Sequence, residues 1–110
     1  MPTPTSPLAS NQVRHLRALA HSLKPVVMLG ANGLTDAVLA EIELAIAHHE
    51  LIKVKLAGED RDERRAIADA ICEQLGAVNV QILGHNLIAF RAKPKDSKIV
   101  LPKANKPKLV

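Results

Sequence analysis

A chain of 110 residues with 47% hydrophobic and 24% charged residues is sized for one packed domain, which excludes two domains and wholesale disorder. Its aromatic fraction is 1%, Phe90 alone, so the core has to be built from Leu, Ile, Val and Ala. The net charge of +4 is segregated: residues 1–90 carry eight Lys/Arg against ten Asp/Glu, and Arg91 onward carries seven basic residues against Asp96 alone.

Residues 1–9, with Pro2, Pro4 and Pro7 among Thr and Ser, are expected to form a flexible tail. Ser10 is expected to cap a first helix, Asn11 to about Ser22, with Val13, Leu16, Ala20 and Leu23 on its buried stripe. Arg14, Arg17, His21 and Lys24 repeat that spacing one residue later and make a basic ridge beside the apolar face. Pro25 ends the helix and opens a short apolar strand, Val26 to Leu29, of the kind covered on both faces. Gly30-Ala31-Asn32-Gly33 follows as a loop. Thr35 then caps a helix with Asp36 in its first turn and Val38, Ile42, Ala45, Ile46 and His49 facing inward, ending near Glu50. Ile52 to Leu56 alternates without a fault, which predicts a strand with one buried face and with Lys53 and Lys55 together on the other.

Asp60-Arg61-Asp62-Glu63 reads as a capping box opening a helix in which Ile67, Ile71 and Leu75 are spaced by four, and Gly76 closes it. Val78 to Ile82 and Leu87 to Arg91 flank Gly84-His85-Asn86 as a hairpin. The order αβαβαββ predicts an α/β fold (α+β two-layer) with a four-stranded mixed sheet packed by helices. The domain is expected over residues 10–92. Residues 93–110 form a basic extension, rich in Lys and Pro, either docked in part through Ile99-Val100-Leu101 or disordered.

Enzyme readings fail for lack of parts. His48-His49-Glu50 lacks the His-Glu-x-x-His spacing, and neighbouring helical residues point about 100° apart, so no metal or other cofactor is expected. Cys72 has no base beside it in sequence and reads as a small apolar helix residue. Asp60, Asp62 and Glu63 are explained as helix-start residues. No apolar run approaches a membrane span, and Met1 to Ser10 has neither the basic start nor the apolar centre of a signal peptide, so a cytoplasmic protein with no membrane partner is expected.

The loop Gly30-Ala31-Asn32-Gly33 has neither the third glycine of a dinucleotide motif nor the lysine of a P-loop. Two readings of it stay open. One is a plain turn with Asn32 and Gly33 at positive φ; the other is a set of exposed amides at a helix mouth, suited to a phosphate. Together with Leu16 to His21, the run from Leu23 to Leu56 and the later "NVQILGHNLIAFR", the chain from Ser10 to about Lys103 resembles the CRM-domain family of RNA-binding proteins, in particular its single-domain bacterial YhbY-like branch.

That resemblance implies a fold like the C-terminal domain of translation initiation factor three and a Gly-x-x-Gly loop after the first strand. It also implies RNA binding: plant relatives act in intron splicing, and the bacterial single-domain proteins are associated with precursors of the large ribosomal subunit. By matching position, Gly30, Ala31, Asn32 and Gly33 are the signature loop, and Lys24, Lys53 and Lys55 stand where the family is commonly basic. Ala31 and His85 depart from the family's more polar or basic usage. The expected function is therefore binding of ribosomal RNA in large-subunit precursors, that is, ribosome biogenesis, by a monomer. The candidate surface is Gly30 to Gly33 with Arg14, Arg17, Lys24, Lys53, Lys55 and Arg91. Without an aromatic platform, recognition should lean on backbone and shape. The alternative is a protein-interaction module docking on a ribosomal protein or assembly factor through the acidic side of the second and third helices.

Overall fold

The computed structural model describes residues 8–30, 32–93, 99 and 101; the expectations for the first seven residues and for most of 93–110 lie outside the described residues. Seven elements follow in the expected order: α1 (Ser10–Ala20), β1 (Val27–Met28), α2 (Asp36–His49), β2 (Leu51–Lys55), α3 (Arg61–Leu75), β3 (Val78–Leu83) and β4 (Asn86–Phe90). The sheet is mixed and four-stranded, ordered β1-β2-β4-β3. β1 runs parallel to β2 through the α2 crossover, while β4 pairs antiparallel with both β2 and β3. Helices α2 and α3 cover one face, and α1 adds a layer on the other.

The period-two pattern explains both cores. In β2, Ile52 and Val54 point to the α2/α3 side with Ile42, Ile46, Ala68, Ile71, Cys72, Leu87 and Ala89. Leu51 points the other way and joins Leu16 and Ala20 of α1 with Val80, Ile88 and Phe90. Phe90 thus lies in the core, 4% exposed. Ile99 and Leu101 also pack against this second cluster. Each aliphatic side chain buried this way contributes about 1.5–3 kcal/mol.

Local signals hold with instructive exceptions. Asp60 caps α3 by accepting the Glu63 N–H at 2.7 Å, and Gly76 closes that helix at φ 63°. α1 starts one residue earlier than expected: Ala9, not Ser10, is the cap, and its own N–H is satisfied by Gln12 Oε1 at 3.0 Å. α1 also stops at Ala20, short of Ser22. β1 is covered on one face only: Val27 is buried, while Val26 and Met28 are 45% and 65% exposed, because β1 is an edge strand and α1 packs over β2, β3 and β4. His49 is exposed rather than inward, and Glu50 is buried instead. Glu50 takes φ 68°, turning α2 directly into β2, and its carbonyl accepts the Arg91 N–H at 2.8 Å.

Candidate nucleic-acid interface

The amphipathic pattern of α1 decides what lies beside it. Leu16 and Ala20 bury against the sheet, so Arg14, Arg17 and His21 line the rim of a groove completed by Ala18 and, from the strands, by Lys53, Gln81, Leu83 and Ile88. Arg17 Nε donates to Gln81 Oε1 at 3.1 Å, which ties the guanidinium to β3 at the groove. Arg14 is exposed. Lys53 is half-buried, and its Nζ donates to the Leu23 carbonyl at 2.9 Å, so it brings charge to the groove while tying the α1–β1 connection to the sheet. Lys55, two residues along the same face, is exposed, as is Lys24 on that connection.

The glycine loop leaves the sheet beside Lys55. Met28 pairs with Lys55, and the Leu29 N–H donates to the Lys55 carbonyl at 2.9 Å before the chain turns. The Gly33 N–H closes the turn on the Gly30 carbonyl at 3.0 Å. Gly33 adopts φ 69°, the left-handed region expected of it. Gly30 lies outside that region, and a Cβ built on it meets no atom within 4 Å. Ala31 is outside the described residues.

Part of the donor set at this junction is already engaged. Thr35 Oγ1 accepts the Val38 N–H at 3.2 Å and the Thr35 carbonyl accepts Leu39 N–H at 2.9 Å, so the mouth of α2 is capped from within, with the Asp36 carboxylate in its first turn. What the loop offers is small size at the edge of a basic face.

Arg91 is not brought to this face. It follows β4, at the opposite end of β2 from Lys55, and donates to Glu43 Oε1 at 2.8 Å, to Glu43 Oε2 at 2.6 Å and to the Leu75 carbonyl at 2.8 Å. The hydrogen bonds to Arg91 hold the Glu43 carboxyl below its ordinary range, and the same bonds raise the guanidinium. The residue ties α2 to the C-terminal end of α3. A second groove, lined by Arg61, Asp62, Arg64, Arg65, Asn79, Ile82 and Gly84, lies between α3 and β3. Arg64 there is already bonded to the Gly58 and Glu59 carbonyls, and Asp62 opposes the remaining charge. Cys72 is buried, and desolvation with Asp69 nearby pushes its thiol up to about 12. Among the described residues no three His, Cys, Asp or Glu side chains meet as a metal site, and no helix is long and apolar enough to cross a membrane.

Residues 8–91 match the CRS1 / YhbY (CRM) domain. The chain belongs to that family. It is 52% identical over 96 residues to a protein of Haemophilus influenzae named "RNA-binding protein", covering 87% of this chain and 96% of that one. It is 45% identical over 91 residues to "Probable RNA-binding protein PA4753" of Pseudomonas aeruginosa, covering 83% and 88%. The solution structure of the hypothetical protein SAV1595 from Staphylococcus aureus superposes with a TM-score of 0.77 at 28% identity over 86% of this chain and 99% of that one. These CRM-family relatives are named for RNA binding and not for an enzymatic activity. Of the residues named from the sequence of this CRM domain, the groove brings together Arg14, Arg17, His21 and Lys53, while Lys24 and Lys55 lie outside its lining; sequence reasoning missed Gln81, Leu83 and Ile88 there, whose positions depend on strand register.

Proposed function

We propose that this CRM domain binds RNA, with the groove between α1 and the sheet holding the phosphate backbone and the Gly30–Gly33 loop admitting it closely at the sheet's edge. The observation that carries the reading is the gathering of Arg14, Arg17, His21 and Lys53 around one groove, with Lys55 next on the same face. The names of the relatives support it. Guanidinium and ammonium groups there replace counterions condensed on the RNA, which makes affinity salt-dependent. The RNA we assign is ribosomal RNA in precursors of the large subunit, in keeping with the family resemblance, and the domain acts as an assembly factor in the cytoplasm.

The test is a salt titration of binding by fluorescence anisotropy. With Arg14, Arg17, Lys24 and Lys55 engaged, log affinity should fall against log salt with a slope of about −3. Affinity indifferent to salt, or unchanged in Arg14→Glu with Lys55→Glu, overturns the reading. Crosslinking in cells that recovers large-subunit precursor RNA supports the assignment, and recovery scattered over all abundant RNAs refutes it.

One observation favours a protein contact on another face. Leu44, on the outer side of α2, is 74% exposed between exposed Ala40 and Ala47, with Glu41 beside it. Leu44→Glu should leave RNA affinity in vitro intact and release the protein from large-subunit precursors on a sucrose gradient if an assembly partner docks there. Unchanged sedimentation refutes that contact.

A further inference from the structure

The open end of the sheet carries a row whose composition the phosphate-binding reading does not use. Register places Met28 opposite Lys55, Lys55 opposite Asn86 and Asn86 opposite Leu83, one residue from each strand. Directly opposed residues share a face, and here it is the α1 face. The row spans roughly 14 Å, three inter-strand spacings. α1 covers the buried residues Leu51, Ile88 and Phe90 on that face but leaves this row open: Met28 is 65% exposed and Leu83 55%, with Val26 at 45% two residues before Met28.

A solvated sheet face ordinarily alternates to polar side chains, so two large apolar side chains at its ends call for a partner. Between them Asn86 keeps its Oδ1 buried and without a hydrogen-bond donor. The charge around the row says what that partner is. Beyond Met28 lies the Gly30–Gly33 loop; beside Leu83 lies the groove with Arg14, Arg17 and Lys53; Lys55 stands within the row itself. An occupant must therefore be anionic toward these cations and carry flat apolar surface for Met28 and Leu83, with polar edges for Lys55 and Asn86 between them. A nucleotide strand with an unpaired base satisfies all of these at once.

We propose that the Met28–Lys55–Asn86–Leu83 row seats unpaired nucleobases, so that the domain prefers single-stranded or splayed-out RNA to uninterrupted duplex. This rests on the RNA-binding reading above. The thioether and the isobutyl group, at opposite ends of the row, each supply an apolar contact that the buried Phe90 cannot, and Lys55 with the Asn86 amide between them supplies polar contacts to base edges. Because Met28 and Leu83 are exposed, they can be altered without opening the core.

The experiment compares a single-stranded RNA carrying one 2-aminopurine with its duplex of equal length, at the same salt, for wild type, Met28→Ser with Leu83→Ser, and Arg14→Glu, with thermal melts to check folding. Wild type should favour the single strand by about tenfold and raise 2-aminopurine fluorescence as the base leaves its stack. The double variant should lose the preference and the fluorescence change while keeping its salt slope, since no cation is removed; Arg14→Glu should weaken both RNAs alike. Equal binding of the two RNAs by wild type, or a preference that survives in the double variant, overturns the inference and leaves RNA binding standing. No binding of either RNA by wild type overturns both.

Discussion

Replacing Gly30 by Ala separates what the loop does for the fold from what it does for a ligand. Gly30 does not use the left-handed region, and an added Cβ meets nothing within 4 Å, so alanine fits the native backbone without strain. Its main effect on folding is then to narrow the unfolded ensemble, which stabilises by about 0.4–1 kcal/mol. For a domain of this size that raises the melting temperature by roughly 2–8 °C. The same methyl occupies space open only to solvent or to a ligand, and a ribose-phosphate pressed against the loop must retreat from it. We expect a three- to tenfold loss of RNA affinity, about 0.6–1.4 kcal/mol, alongside the gain in stability. Gly33→Ala should do the opposite to the fold: at φ 69° a Cβ meets the following carbonyl, at a cost of about 1–2 kcal/mol. Circular-dichroism melts and anisotropy titrations on the same preparations give both quantities. A Gly30→Ala protein that is more stable and binds RNA as well as wild type refutes close approach at this loop.

The remaining expectations concern residues whose roles the structure divides. Lys55→Glu should weaken RNA binding without shifting the melting temperature, whereas Lys53→Glu should lower both, since Lys53 Nζ also holds the Leu23 carbonyl; equal melting curves for the two refute that tie. Arg91→Ala should destabilise by about 1–2 kcal/mol through loss of the Glu43 and Leu75 bonds, with RNA affinity unchanged per folded molecule. The Glu43 carboxyl is depressed in the folded state, so its contribution is present above the unfolded glutamate value and is lost as pH falls through the lower folded one. The stability difference between wild type and Glu43→Gln should therefore shrink across that acid window, and a difference constant with pH refutes the pairing. Cys72, buried and with its thiol raised to about 12, should react with iodoacetamide only as fast as the domain opens, which denaturant-dependent labelling measures.

The elements were legible because their signals are local: Thr35 and Asp60 cap the helices they precede, Gly76 closes α3, and the Ile52–Leu56 alternation separates a core face from a lysine face. The exceptions arise where tertiary contacts replace a local signal. Ser10 is the better capping side chain, yet Ala9 takes the position, where Gln12 Oε1 accepts the Ala9 N–H and the Ala9 carbonyl accepts the Gln12 N–H. Arg91 looks like the first charge of a basic tail, and only the fold brings Glu43 and the Leu75 carbonyl to it from positions 48 and 16 residues away.

The site itself turned on a detail no periodicity contains. Simple alternation puts Val78, Val80 and Ile82 on one face of β3, but Asn79 pairs with Ala89 and Gln81 with Ile88, so Val80 is an extra residue in the ladder. From there each side chain changes face: Ile82 goes to the α2/α3 core, and Gln81 and Leu83 go to the groove. That one-residue bulge is what lets Gln81 hold Arg17 and sets Leu83 in line with Met28. It also alters how the glycine loop is to be understood. With the Gly33 amide bonded to the Gly30 carbonyl and the Val38 amide to Thr35, the loop and helix mouth have two fewer donors for a ligand. Its Gly30 leaves an opening at the edge of a face where α1, the bulge and Lys55 have already assembled the cations. A backbone drawn to those cations can pass the loop at contact distance, and the Gly30 methyl tests that passage directly.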